Sequence, residues 1–389
     1  MQTKDFKALS YHGFGGGKMD TRSKLEFGRM NDEDFMRLAL NLAELGRGFT
    51  RPNPMVGAVI VKDGRIVGIG YHKKAGLPHA ERIALADAGE HARNATMFVT
   101  LEPCVHYGRT PPCADAIIEA GLARVVVAAL DPNPVVHGKG VQKLREAGIS
   151  VTVGILEKEA KRLNEAFFKY METGKPFVAL KLAVTLDGKL ADATGNSKWI
   201  SSAESRRFVH KLRGEYDGIA VGINTVLADD PMLTARTVYP PAQPTRFVID
   251  PHLRIPLNSK VLNGDARTVI VASEDADESK LRAVHSKGAE VWQLPSKDGR
   301  IDLSRFIEVA GQHGIQSLLF EGGGAIAASL LRNGLVDKLY MFFAPKMFGG
   351  GHGIAHFDGF SAVRPLEFDI DRTLDFDGDV LIVAYPKAK

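Results

Sequence analysis

The chain holds two cysteines, Cys104 and Cys113, and both lie in one short segment, PCVHYGRTPPC. A disulfide, two buried thiols and a pair of metal ligands are the three readings of such a pair. Upstream, LPHAER supplies His79 and, two residues later, Glu81. Two thiolates and one imidazole form a zinc donor set, and three protein ligands leave the fourth tetrahedral position for water, the mark of a catalytic site. A water held there loses its proton near neutral pH and can add to an electron-poor carbon. A carboxylate alongside, here Glu81, can carry that proton to the substrate. A lone His or Cys is more often a core or surface residue than a ligand. Here three candidate ligands and a carboxylate occur together at strand-to-helix junctions, which favours the metal.

The spacing is close to that of zinc deaminases of nucleobases, His-x-Glu with Pro-Cys-x-x-Cys, in which the glutamate is not a ligand. His79-Ala80-Glu81 and Pro103-Cys104 match, whereas Cys113 lies nine positions after Cys104 instead of three. Pro78 and Pro112 suit the first turn of a helix, so His79 and Cys113 are expected at helix starts, where the dipole favours a thiolate. A purely structural zinc is the competing reading, and it leaves Glu81 without a role.

A chain of 389 residues exceeds what a single core usually supports, so two domains are expected. With 44% hydrophobic and 25% charged residues it reads as an ordinary globular protein. No apolar run approaches the roughly 18 to 20 residues of a membrane helix, and the N-terminus lacks a signal-peptide segment. The expected compartment is the reducing cytoplasm, where two cysteines more often serve metal or catalysis than a disulfide. The net charge of +4 is concentrated at the start, where Lys4, Lys7, Lys18, Arg22, Lys24 and Arg29 outnumber Asp5, Asp20 and Glu26. Residues 1–29 also carry Gly15-Gly16-Gly17 and no periodic pattern, so they read as a mobile leader; their acidic residues weaken a transit peptide. The remainder is near neutral, which argues against a nucleic-acid partner and leaves small molecules.

The elements that must position these residues follow from pattern. Asn31 and the acidic residues Asp32, Glu33 and Asp34 lead into FMRLALNLAELG, a helix stopped by Gly46. Beyond RPNP, the runs of MVGAVIVKDGRIVGIGYH meet at Asp63-Gly64, a hairpin signal. There follow a helix from about Pro78 to Ala88, the strand TMFVTLEP, a helix after Pro112, the strand RVVVAALDPN, the helix GVQKLREAG and the strand VTVGIL. This alternation predicts a sheet covered on both faces. One helix, KEAKRLNEAFFKYMETG, ends at Gly174, and the domain boundary is placed there: 30–174, then 175–389. The second part alternates again, through FVALKLAVTLDGKLA, ESRRFVHKLRG, DGIAVG, TRFVID, RTVIVAS, AEVWQL, SRFIEVAGQHG, SLLFEGGG and AIAASLLRNG, to two long terminal strands. The apolar stretch VDKLYMFFAPKMF suits a core strand or a homo-oligomer interface equally.

Taken together, RPNPMVGAVIV, GYHKKAGLPHAE, TLEPCVHYGRTPPC and DPNPVVHGKG, with KLAVTLDGKLA, SKWIS, GINTVLADDPMLTAR and FEGGGAIAASLL in the second part, resemble the bifunctional riboflavin-biosynthesis deaminase-reductases. The resemblance runs from about Met30 to the C-terminus, and the long gap between the cysteines is itself a mark of that family. It implies a cytidine-deaminase-like three-layer domain followed by a dihydrofolate-reductase-like α/β domain. It also implies zinc-dependent hydrolytic deamination of 2,5-diamino-6-(5-phosphoribosylamino)pyrimidin-4(3H)-one, then NADPH-dependent reduction of the ribosyl group to ribityl.

Residue by residue, the resemblance puts zinc on His79, Cys104 and Cys113, with Glu81 as proton shuttle. It assigns substrate contacts to Asn53, His72, Arg109, Thr110, Asp131 and Asn133. For the Asn and Asp residues the bland alternative is a turn beside proline; His106 and His137 read as loop residues. In the second domain it implies an NADPH site of Gly323, Gly324, Ala325, Ile326, Ala327, Ala328 and Ser329 with Ala183, Trp199, Thr225 and Asp229. Strand, glycines and helix can bring a diphosphate to backbone amides, though the motif is weak alone and no GxGxxG is present. Substrate contacts there are Ser197, Arg213, Leu233, Arg236 and Glu321, the two arginines suiting a phosphate. Trp199 could equally be a core aromatic, and Lys181 and Asp187 could act chemically or brace a strand end. Two other functions compete: a nucleic-acid-editing deaminase with an accessory domain, and a non-catalytic regulator with structural zinc.

Overall fold

The structure is a computed structural model that describes residues 30–105, 111–236, 242–353 and 365–387. The leader 1–29 and the substrate candidates Arg109 and Thr110 lie outside them, as does His106.

Asn31 caps α1 (Asp32–Glu44) reciprocally: its side chain accepts from the Asp34 N–H and the Asp34 carboxylate accepts from the Asn31 N–H. β1 (Gly57–Lys62) and β2 (Arg65–Tyr71) form the hairpin at Asp63-Gly64. Both turn residues have positive φ, 51° and 74°, as a two-residue turn matching strand twist requires. Next come α2 (Ala80–Ala88), β3 (Thr96–Leu101), α3 (Cys113–Glu119), β4 (Arg124–Ala129), α4 (Lys139–Glu146) and β5 (Ser150–Val153). The sheet runs β2-β1-β3-β4-β5. β1, β3 and β4 are buried along almost their whole length because helices cover both faces. One face packs around Ile60, Met97, Val125 and Ile117, the other around Phe35, Phe98, Val126 and Phe167.

β2 meets α2 through glycine. A Cβ on Gly70 would lie 2.3 Å from the Ala80 carbonyl oxygen and 2.6 Å from the Ala84 nitrogen. Gly70→Ala is therefore expected to push α2 off the sheet, costing about 1–3 kcal/mol. Because His79 and Glu81 sit at the start of α2, zinc retention should fall with stability. Thermal unfolding and metal analysis check this; an unchanged melting temperature would contradict the packing argument.

The single helix expected at 158–174 is two, α5 (Glu157–Leu163) and α6 (Glu165–Thr173), broken at Asn164. The cause is tertiary: the buried Asn164 amide accepts from the Met55 N–H and donates to the Met55 carbonyl, both at 2.8 Å. Gly174, at φ 68°, ends α6.

The second sheet begins at β6 (Phe177–Thr185), followed by β7 (Lys189–Ala191), α7 (Ala203–Glu215), β8 (Gly218–Gly222), α8 (Ile223–Asp229), β9 (Thr245–Ile249) and β10 (Thr268–Ser273). Then come α9 (Glu278–His285), β11 (Glu290–Leu294), β12 (Ser296–Lys297), β13 (Arg300–Ile301), α10 (Leu303–Gln312), β14 (Ser317–Glu321) and α11 (Gly324–Arg332). β15 (Lys338–Ala344), β16 (His352–Gly353), β17 (Phe368–Phe376) and β18 (Asp379–Pro386) complete the described chain. The large sheet runs β11-β10-β9-β8-β14-β6-β15-β18-β17. Strands β11 through β15 in that order are parallel, and β18 and β17 close it antiparallel. Cores around Ile219, Val248 and Phe342 and around Phe247, Phe306 and Phe320 cover its faces. The stretch VDKLYMFFAPKMF supplies β15, paired on both edges and largely buried, so the apolar residues of the strand serve the core, whereas Met347 and Phe348 beyond it are exposed.

Candidate active sites

In the first unit, the strand-to-helix junctions bring the predicted donors together. His79 is the N-cap of α2 and Cys113 the first residue of α3; Pro78 and Pro112 precede these positions rather than occupying the first turn. The Nδ1 of His79 lies 3.6 Å from Cys104 Sγ and 3.3 Å from Cys113 Sγ. Tetrahedral zinc with bonds of about 2.0 Å to nitrogen and 2.3 Å to sulfur needs N···S separations of about 3.5 Å, so the donor set fits the ion. Both cysteines are free thiols, which removes the disulfide reading, and this is the one such three-residue group among the described residues.

Electrostatics point the same way. The Cys113 thiol, burial notwithstanding, and the His79 imidazole hold the Cys104 thiol down to about 4. Its hydrogen bond to Cys104, burial and the nearby Glu81 push Cys113 up, because a second anion there has no counter-charge. A divalent cation is what lets both ionise. The hydrogen bond to Cys104 raises His79. Glu81, on the first turn of α2 and 4% exposed, is raised by burial and by the Cys104 charge.

His72 and Asn53 flank this centre. The buried His72 ring stands edge-on to His79 at 5.4 Å between centroids. Its Nδ1 lies 3.2 Å from the Pro78 carbonyl, which can only accept, so Nδ1 carries the proton and Nε2 accepts from the Asn53 amide at 3.3 Å. Burial lowers the pKa of His72, consistent with that neutral tautomer. Asn53 is exposed, and the bond to His72 orients its amide.

Asp131 and Asn133 engage their own turn. Asp131 Oδ1 accepts from the Asn133 N–H at 2.8 Å, and Asn133 Oδ1 from the Val135 N–H at 3.0 Å. Their loop is held by a residue that the motif analysis passed over, Glu102 of TLEPC. Its buried carboxylate accepts from the N–H groups of Asp131, Gly138 and Val141 at 3.2, 2.9 and 3.1 Å. A carboxylate ending an apolar strand was the available signal.

The second site gathers at the carboxyl ends of parallel strands, where open α/β sheets bind ligands. Glu321 ends β14, and its carboxylate takes two bonds from Arg213 of α7 at 2.7 and 2.8 Å, both side chains being about one-tenth exposed. Arg213 thus stands committed to Glu321 and, at 3.3 Å, to the Thr234 carbonyl. Arg236 bonds Thr234 Oγ1 at 3.0 Å and approaches His210 Nε2 at 3.1 Å. Lys181 faces Glu321 in register across the β6 and β14 pair; burial lowers its pKa, against the attraction of Glu321. Asp187 accepts from Thr185 Oγ1 and the N–H groups of Phe348 and Gly349, which braces the strand end.

Gly322 and Gly323, at φ 67° and 66°, turn the chain from β14 into α11 and leave the turn open beside Thr225 of α8. Only glycine takes that backbone freely, and the following helix amides can meet a diphosphate, so the turn fits the predicted cofactor. Within α11, Ala327 and Ala328 are buried and Ile326 packs partly buried against the core, whereas Ala325 is exposed and Ser329 half-buried. Ala183 is half-buried on β6 and Ser197 half-buried in a turn. Trp199 is 63% exposed with Arg206 stacked on it at 4.5 Å, so it is not a core aromatic. Lys198 reaches Asp229 at 3.5 Å, tying the Trp199 segment to α8. Leu233 is packed in the core, with the whole residue only 1% exposed.

Two family models match: the cytidine and deoxycytidylate deaminase zinc-binding region over residues 29–129, and the RibD C-terminal domain over 176–382. The sequence is 51% identical over 323 residues to riboflavin biosynthesis protein RibD of Aquifex aeolicus, covering 83% of this chain and 89% of that one. To the Escherichia coli protein of the same name it is 45% identical over 332 residues, covering 82% and 89%. Among solved structures, Acinetobacter baumannii RibD superposes with TM-score 0.84 at 38% identity over 92% of this chain and 99% of that one. A Thermotoga maritima diaminohydroxyphosphoribosylaminopyrimidine deaminase/5-amino-6-(5-phosphoribosylamino)uracil reductase gives 0.80 at 38% identity, with the same coverage.

Proposed function

The chain belongs to the RibD family of bifunctional riboflavin biosynthesis enzymes, zinc deaminase and NADPH-dependent reductase in one polypeptide, and from that premise we propose how its own residues divide the two reactions. The unit ending near Gly174 deaminates, and the unit from Lys175 reduces. The observation that carries the first assignment is the convergence of His79, Cys104 and Cys113 beside a buried Glu81. Zinc bound there supplies the Lewis acidity that brings a water close to deprotonation at neutral pH. Glu81 takes that proton and returns it to the ring nitrogen, then passes the proton left on the added oxygen to the departing amine. The water oxygen bonds to C2 of the pyrimidinone, the bond to the 2-amino group breaks, and ammonia leaves. Asn53, oriented by His72, reads the ring edge, as do Asp131 and Asn133 of the loop held by Glu102; Arg109 and Thr110 of the insert complete the contacts.

In the second unit NADPH, when bound, supplies the hydride that reduces C1′ of the opened ribose. The turn Gly322–Gly324 with Thr225 holds its diphosphate, and Trp199, Ala183 and Asp229 border it. Ser197, Arg236, and the paired Arg213 and Glu321 orient the ribotide, with Leu233 beside them. The unpaired thiols of the zinc site suit a reducing cytoplasm.

Supplying the diaminopyrimidinone ribotide with and without NADPH tests the order. Ammonia should be released without NADPH, and NADPH should be oxidised only once the deaminated product is present. Zinc-loaded protein inert towards the first substrate would overturn the reading.

A further inference from the structure

The loop that carries Asn53 is tied down from two sides. Behind it, the Asn164 amide clamps Met55 from the junction of α5 and α6. Ahead of it, the Arg51 guanidinium uses all three nitrogens at once. Nε donates to the Gly48 carbonyl of its own turn at 3.4 Å. Nη1 donates to Asp217 Oδ1 at 3.2 Å and Nη2 to the Gly214 carbonyl at 3.2 Å, both in the reductase unit.

The Asp217 acceptor is itself hydrogen-bonded within the reductase unit. Asp217 Oδ2 takes the Gln316 N–H and the Ser317 hydroxyl, both at 3.0 Å, and the Asp217 carbonyl takes the Thr245 N–H at 2.8 Å. Gly214 adjoins Arg213 near the end of α7. The ion pair is only 18% exposed on each side, so water screens it weakly. Arg47, at the other end of the turn, lies 3.8 Å from Glu215.

We propose that the reductase unit positions the deaminase substrate loop, with Arg51 as the positioning residue that holds Asn53 in place from Asp217 and Gly214. Arg51 touches no reacting atom; it acts through the turn that places Asn53 on His72. The inference rests on the reading of Asn53 as a substrate contact.

The test uses the full chain. Arg51→Met removes the three donors while keeping most of the side chain's length. The deaminase KM should rise on the order of ten- to a hundredfold, as for a contact displaced by about 1 Å. Zinc content should stay at the wild-type level, and kcat and KM for reduction of the deaminated product should stay within about twofold. Arg51→Lys, which keeps the charge but not the fork, should give an intermediate KM. A deaminase KM within about twofold of wild type in both variants overturns the proposal, as does a parallel loss of both activities that tracks loss of folded protein. If Arg51→Met does not fold, the KM of Arg51→Lys decides alone. Asn53→Ala separates the premises: an unchanged KM there removes the Asn53 assignment, whereas a raised KM there with no effect at Arg51 removes the positioning role alone.

Discussion

Glu81→Gln is expected to lower deaminase kcat by about 10²- to 10⁴-fold, the usual worth of a positioned acid–base group, while zinc content and NADPH-dependent reduction remain at wild-type levels. The substitution keeps the shape of the side chain at the start of α2 and removes only its capacity to take and return a proton. His79, Cys104 and Cys113 contribute all three donors, so the metal does not depend on Glu81. The reductase residues belong to a separate sheet with its own cores, so hydride transfer should not register the change. Metal analysis with separate assays of ammonia release and NADPH oxidation reads the three quantities in one preparation. Loss of zinc in this variant would show that Glu81 shapes the metal site, and unchanged deamination would leave the zinc a structural role.

Arg213→Met is expected to abolish reduction and to cost about 3–5 kcal/mol of stability, because removing one partner of a buried pair strands the other charge. Both partners are about one-tenth exposed and their bonds are bidentate, so little solvent remains to compensate Glu321. Adding Glu321→Leu to Arg213→Met should restore part of the lost stability without restoring reduction. That pattern distinguishes a pair needed for orientation from one needed only to fold. The pH dependence carries a definite sign. Burial by itself would raise the Glu321 pKa, but the Arg213 charge and hydrogen bonds overcome it and hold the pKa below the ordinary value of 4.5. A depressed folded pKa stabilises above the unfolded carboxylate pKa and loses that contribution as pH falls through the folded value. The stability gap between wild type and the double variant should therefore hold from neutrality down to the ordinary carboxylate range and shrink only below it. Urea unfolding across that range measures it, and a gap already closing near pH 6 would count against the pair as the source.

Much of the architecture was legible because local chemistry and tertiary demand agree. Asp63-Gly64 marks a turn whose positive φ values strand twist requires, and the buried faces of β1, β3 and β4 show in their unbroken apolar runs. Where they disagree, sequence reading fails for an identifiable reason. KEAKRLNEAFFKYMETG has helical periodicity throughout, yet it breaks at Asn164, whose amide bonds a backbone 109 positions earlier. Trp199 could equally have been a core residue by composition, and it stands exposed under Arg206. Glu102 has no motif of its own, since its partners are backbone N–H groups supplied by a distant loop.

By itself the sequence determined the donor types, the carboxylate two residues from His79, and the order of strands and helices that set Cys104 and Cys113 at junctions. Those features are local, and short-range propensity and spacing express them. Only the tertiary structure decided that each sulfur lies 3.3 to 3.6 Å from the imidazole nitrogen, that Arg213 is engaged by Glu321, and that Arg51 reaches across to Asp217. Each of these joins groups from 25 to 166 positions apart, a distance over which no sequence pattern carries geometry. Close packing of the sheets fixes it instead.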